Sequence, residues 1–155
     1  MSAVVDRAQA RPGASELVTA TLAGQEIAMP VTAVQDVLGP QSLTPVPRAV
    51  SEVAGLLNLR GRIVTAIDLR PRLGIQPEAG ERPPMNIVLE HDGELYSLLV
   101  DAVGEVIEPP DSSLAREVTL LSPAWRRLAT GIYALQDRLL VALDIARVLD
   151  FRTAA

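Results

Sequence analysis

The chain has few groups suited to acid–base or metal chemistry: one histidine, no cysteine and nineteen carboxylates. His91 stands in the turn sequence His91-Asp92-Gly93, with no thiol or activated-serine motif beside it in sequence. It reads as a solvated loop residue. Asp68, Asp101 and Asp144 each fall at the boundary of an expected element, where aspartate caps a helix or closes a turn. Neither a phosphate-cradling glycine loop nor an H-E-x-x-H pair is present. The expectation is a non-enzyme with no catalytic residue, no bound metal and no cofactor.

What remains is recognition chemistry, carried by arginine. All fourteen basic side chains are arginine, and the formal net charge is −5. Arginines scattered over an acidic chain do not form the concentrated basic face that nucleic acid requires. The arginines that stand out are Arg60 and Arg62, inside Val53–Gly74. Read with a period of two, Leu57, Leu59, Ile63, Thr65, Ile67 and Leu69 share one side. Asn58, Arg60, Arg62, Ala66 and Asp68 share the other, as in strands with one dry face. Gly61 allows a turn at the middle, so the stretch is expected to be a β-hairpin with both arginines at its tip. Asp68, Pro71 and Gly74 then bracket a short helix.

The elements that must hold this tip follow from turn signals. Glu16–Leu22 and Ile27–Val31 form a first hairpin around Ala23-Gly24-Gln25, and Asn86–Glu90 and Leu95–Val100 another around His91-Asp92-Gly93. Thr32–Leu38 fits either a helical turn or a third strand. Gly39–Ala49 is a proline-rich loop, Val50–Val53 a single helical turn, and Ile75–Pro84 a linker. Pro109–Pro123 reads as loop, Gly131–Val141 as paired strands joined at Gln136-Asp137, and Asp144–Leu149 as a short helix. Hydrophobic residues are 48% of the chain, yet only four are aromatic, so the core must be aliphatic, with Trp125 as a large plug. Met1–Ser15 is expected to be a disordered tail, 16–150 one domain, and 151–155 a second tail. The amino terminus shows no signal-peptide pattern and no apolar run approaches a membrane span, which implies a cytoplasmic protein.

The second half repeats the first. A shift of 69 residues lays Gly24, Val31, Ala33, Val34 and Val37 on Gly93, Val100, Ala102, Val103 and Val106, with Asp36 on Glu105. A shift of 76 lays Gly55, Leu59, Arg62, Ala66, Asp68 and Leu73 on Gly131, Leu135, Arg138, Ala142, Asp144 and Leu149. Two similar β units are expected, with halves at roughly 16–76 and 84–150. Short strands and frequent turns favour closed barrels, which leave no sticky edges.

The run Gly55-Leu56-Leu57-Asn58-Leu59-Arg60-Gly61-Arg62-Ile63-Val64, followed by Ile67-Asp68-Leu69-Arg70, resembles the signature of the CheW-like coupling proteins of bacterial chemotaxis. Ala33–Val37 with Pro45 and Pro47 upstream, and Leu99–Asp101 through Glu105-Val106 downstream, agree with it over about Glu16 to Leu149. Thr65 stands where that family usually has proline, a change that still suits a strand. The resemblance implies a mainly β fold of two pseudo-symmetric, five-stranded SH3-like barrels with a few short helices. It also implies a scaffold that couples chemoreceptor tips to the regulatory domain of the histidine kinase CheA, alongside other CheW-like proteins.

On that resemblance, Arg60 stands at the arginine of the coupling signature. Folded alone, it would be a solvated turn residue. Val34 and Val106, beside Asp36 and Glu105, are read as comparable positions of the two halves. Both are ordinary core valines by residue type, and the resemblance would have them line a groove for a receptor helix. Gly55 matches a family glycine next to this surface, and close backbone approach would explain it equally well. Partner-binding candidates are therefore Arg60, Val34, Asp36, Gly55 and Val106. A CheW-like adaptor of a pilus or second-messenger pathway is the nearest alternative, and a small-molecule-binding β-barrel a more distant one.

Overall fold

Three two-residue turns place the strands. Ala23-Gly24, Arg60-Gly61 and Asp92-Gly93 all take positive φ at both positions, between 51° and 86°. Such turns match the right-handed twist of the strands they join. They close the hairpins β1 (Leu17–Leu22) with β2 (Gln25–Pro30), β4 (Val53–Leu59) with β5 (Arg62–Ile67), and β6 (Met85–His91) with β7 (Glu94–Val100). A fourth hairpin, β10 (Ala129–Ala134) with β11 (Leu139–Leu143), turns where the Leu135 N–H donates to the Arg138 carbonyl at 2.9 Å. Residues 16–76 and 82–150 are described in this computed structural model. The expected tails and the centre of the expected linker lie outside them.

The remaining strands are β3 (Val34–Leu38), β8 (Ala102–Ile107) and the two-residue β9 (Leu114–Ala115). They complete two sheets, ordered β3-β6-β7-β5-β4 and β8-β1-β2-β11-β10-β9. The sheets do not coincide with the sequence halves. Hairpin β1–β2 sits in the sheet of the second half, and β6–β7 in that of the first. The exchange keeps register. Ala66 pairs with Ser97 and Ala142 with Ala28, while Gly55 pairs with Ala66 and Gly131 with Ala142. These are the same pairs under the shifts of 69 and 76. Even the irregularities match, between Val53 and Gly55 and between Ala129 and Gly131.

Because each sheet borrows a hairpin, one apolar cluster spans both. Ile27 and Met29 of β2, Ile67 of β5, Ile87 and Leu89 of β6, and Val141 of β11 belong to it. A smaller cluster, including Leu57, Val64, Val88 and Leu99, fills the first unit, and Leu17, Ala28 and Leu140 fill the second. The expected class therefore holds: a mainly β fold of two small SH3-like units with a few short helices. The second sheet gains β9, whose counterpart in the first is the single bridge Thr44–Leu56.

Several local expectations change. The two faces drawn for Val53–Gly74 cross over at the turn. A two-residue turn pairs odd positions with even ones, so Leu57 lies opposite Val64 and Asn58 opposite Ile63. Val64 and Ala66 are fully buried, whereas Ile63 is 61% exposed. Thr32–Leu38 is both alternatives in succession, a 3-10 turn over Val31–Ala33 and then β3. The loop at Pro109–Pro123 contains a second 3-10 turn, Asp111–Ser113, and β9.

Three short helices complete the fold: α1 (Arg70–Leu73), α2 (Pro123–Arg126) and α3 (Ile145–Val148). Asp144 caps α3 by accepting from the Arg147 N–H at 3.3 Å. Asp68 accepts from the Arg70 N–H at 2.9 Å, and Gly74 ends α1 in the left-handed region.

Candidate docking surface

Arg60 is placed by its turn. Asn58 Oδ1 accepts from the Gly61 N–H at 2.8 Å and holds the turn closed. Arg60 itself sits at φ 51°, a region that disfavours residues bearing a Cβ. Its guanidinium is 77% exposed and reaches Asp36 Oδ2 at 3.1 Å. Asp36 Oδ1 meanwhile accepts from the Val37 N–H at 2.8 Å. The contact joins the β4–β5 tip to β3, which lie at opposite edges of the five-stranded sheet. Two of the five candidates, Arg60 and Asp36, are thus brought together.

The other three are placed apart. Gly55 lies in β4 under residues 43–44. A Cβ there would stand 2.8 Å from the Thr44 carbonyl oxygen and 3.0 Å from Leu43 Cβ. Gly131 meets Ala115 in the same way, at 2.6 Å. Close approach is therefore a sufficient reason for both glycines. Val34 is half-buried and packs on the shared core. Val106 is 48% exposed on β8, an outer strand of the other sheet. The two valines are not counterparts. Strand register matches Val34 with Val103 and Val37 with Val106, and Val37 is likewise 40% exposed.

Sequence reading missed the apolar part of this surface. Beside the hairpin runs an open groove lined by Pro40, Gln41, Ser42, Thr44, Leu56 and Ile63, among others. Counting the turn as two residues would have put Ile63 outside. The loop wall, by contrast, carries no periodic signal.

The second unit offers a related but different face. Arg138, the counterpart of Arg62, reaches Glu105 Oε1 and Glu26 Oε2, each at 3.0 Å. Its hydrogen bond to Glu105 raises the guanidinium pKa and keeps it charged. Leu139, the counterpart of Ile63, is also exposed. Among the described residues no group of three or more His, Asp or Glu side chains is arranged to hold a metal. No helix among them is long and apolar enough to cross a membrane.

The model of the CheW-like domain matches residues 16–152. The chain belongs to the CheW-like domain family. "Chemotaxis protein CheW" of Rhizobium meliloti is 28% identical over 136 residues, covering 88% of each chain. The protein of the same name from Bacillus subtilis is 30% identical over 128 residues, 82% of this chain and 81% of its own. Among solved structures, the scaffolding protein TtCheW from Thermoanaerobacter tengcongensis aligns with a TM-score of 0.77 at 27% identity. That alignment covers 88% of this chain and 93% of TtCheW. The residues matched, 16–152, include both β units and the hairpin that carries Arg60.

Proposed function

We propose that this protein is a non-catalytic adaptor of a bacterial chemosensory array. It joins the cytoplasmic tips of chemoreceptors to the regulatory domain of the histidine kinase CheA, and it works in the cytoplasm at membrane-bound arrays. Arg60 carries the reading. An arginine in a left-handed turn position, mostly exposed and tied among the described residues by a single surface ion pair, adds little to folding. Arginine is a common interface anchor, and an unfavourable backbone position kept at such a residue fits a binding role. Asp36 orients the guanidinium until a partner engages it. Gly55 lets the 43–44 segment lie flat against β4, and Val34 and Val106 supply apolar contact on the two outer strands.

The test is assembly of a receptor cytoplasmic fragment, the kinase and this protein from purified components, with Arg60→Ala and Arg60→Glu variants. Assembly should fall with Ala and fall further with Glu, because a like charge adds repulsion to the lost contact. Variants that remain folded and assemble as wild type would remove Arg60 from the surface.

A further inference from the structure

Asn86 and Ser97 are polar exceptions inside an aliphatic unit. Both are buried, on adjacent strands β6 and β7, and they face the interior beside Val88 and Leu99. Ser97 Oγ donates to Asn86 Oδ1 at 2.7 Å, and Asn86 Nδ2 donates to the Gly39 carbonyl at 2.9 Å. A carbonyl can only accept, which settles the end of the amide that faces Gly39.

The second unit does without this pair. The 69-residue shift that preserves strand register puts Leu17 and Ala28 at the two positions, both buried and apolar. The fold alone therefore does not call for a polar pair, and burying an amide is favourable only when its hydrogen bonds are made. What differs is the connection that the amide reaches. Between β8 and β9 the chain braces itself with the 3-10 turn Asp111–Ser113, where Ser113 Oγ donates to the Pro110 carbonyl at 2.6 Å. Residues 39–43 contain no helix or hydrogen-bonded turn. Besides Asn86, Leu43 packs on the apolar cluster of the first unit at the far end of the stretch, and Gln41 Nε2 donates to Gly39 at 3.3 Å. Pro40, Gln41 and Ser42 of this stretch, with Thr44 after it, form the wall of the groove beside Ile63.

We propose that Asn86 is a positioning residue for docking. From inside the first unit it clamps Gly39 and so holds Pro40–Thr44 as a preformed wall beside the Arg60 hairpin. A partner then meets ordered chain rather than having to order it, which favours affinity. This rests on the docking function proposed above.

The test uses the full chain with Asn86→Leu and Ser97→Ala together, matching the residue types of the second unit and leaving no hydroxyl unpartnered. Amide exchange is read at Thr44 and Leu56, whose N–H groups each donate to the other's carbonyl at 2.8 Å. Both should exchange at least tenfold faster, while β5 and β11 keep their protection. Affinity for a receptor cytoplasmic fragment or the kinase regulatory domain should fall threefold or more. If the double variant does not melt cooperatively, Asn86→Ser, too short to reach Gly39, is read in the same way. Unchanged exchange at Thr44 and Leu56 would overturn the proposal, as would faster exchange with unchanged affinity. Wild-type protein that binds neither partner would sink the adaptor function, and the exchange result would still decide whether Asn86 holds the wall.

Discussion

Arg60 and Asp36 meet at 3.1 Å between the hairpin tip and the opposite edge strand, and Arg138 meets Glu105 at 3.0 Å in the second unit. Asp36 and Glu105 are register counterparts, yet Arg60 and Arg138 are not, since Arg138 corresponds to Arg62. The same ionic closure is thus reached from two different hairpin positions. In the first unit the cation stays on the turn and exposed; in the second it is held between two carboxylates.

That difference separates stability from binding. Arg60→Ala should change stability by less than about 0.5 kcal/mol, as ordinary surface changes do. Arg60→Asn should raise stability by up to about 1 kcal/mol, because asparagine suits the left-handed turn position. Both should weaken partner binding about tenfold or more, equivalent to about 1.4 kcal/mol. Chemical denaturation and titration calorimetry on the same samples check the split.

Arg138→Ala is the contrasting case. It removes two partly exposed ion pairs and should lower stability by about 0.5–1 kcal/mol, an amount that shrinks in high salt. A melt that shifts equally at low and high salt would refute the ionic origin.

The crossed faces of the central hairpin predict opposite behaviour for neighbours. Val64→Ala should cost about 2 kcal/mol through lost burial and a cavity. Ile63→Ser should stay within about 0.5 kcal/mol of wild type and should weaken docking at the groove it lines. Equal losses of stability at both sites would contradict the register.

Gly55→Ala and Gly131→Ala should both destabilise by about 1–3 kcal/mol, since each new Cβ meets a backbone carbonyl with little room to yield. Similar drops in melting temperature would assign Gly55 to packing. A large binding defect in a Gly55→Ala protein of unchanged stability would instead return it to the contact surface.

Much of this was legible in the chain itself. Turn pairs such as Asp92-Gly93, alternation of apolar residues, and two ungapped shifts of 69 and 76 residues specify hairpins, their order and a duplicated unit, because these are local properties of backbone and pattern. The signature around Arg60 located the hairpin and its family. The faces were misread at two points: a two-residue turn reverses parity, and the end of β5 is buried on both sides, with Ala66 inside the first unit and Ile67 in the cluster shared by both sheets.

Local pattern has no access to pairing between distant strands. Nothing in β1–β2 or β6–β7 says that each joins the sheet of the other half, since the duplicated hairpins present similar edges and only packing of the whole chain selects the exchanged arrangement. The meeting of Arg60 with Asp36, 24 residues apart, and the reach of Asn86 to Gly39, 47 residues away, follow from that closure. Residue types and turns were determined by sequence. Which edges meet, and so which side chains share a surface, was decided by the tertiary structure, because it depends on burying both apolar faces at once.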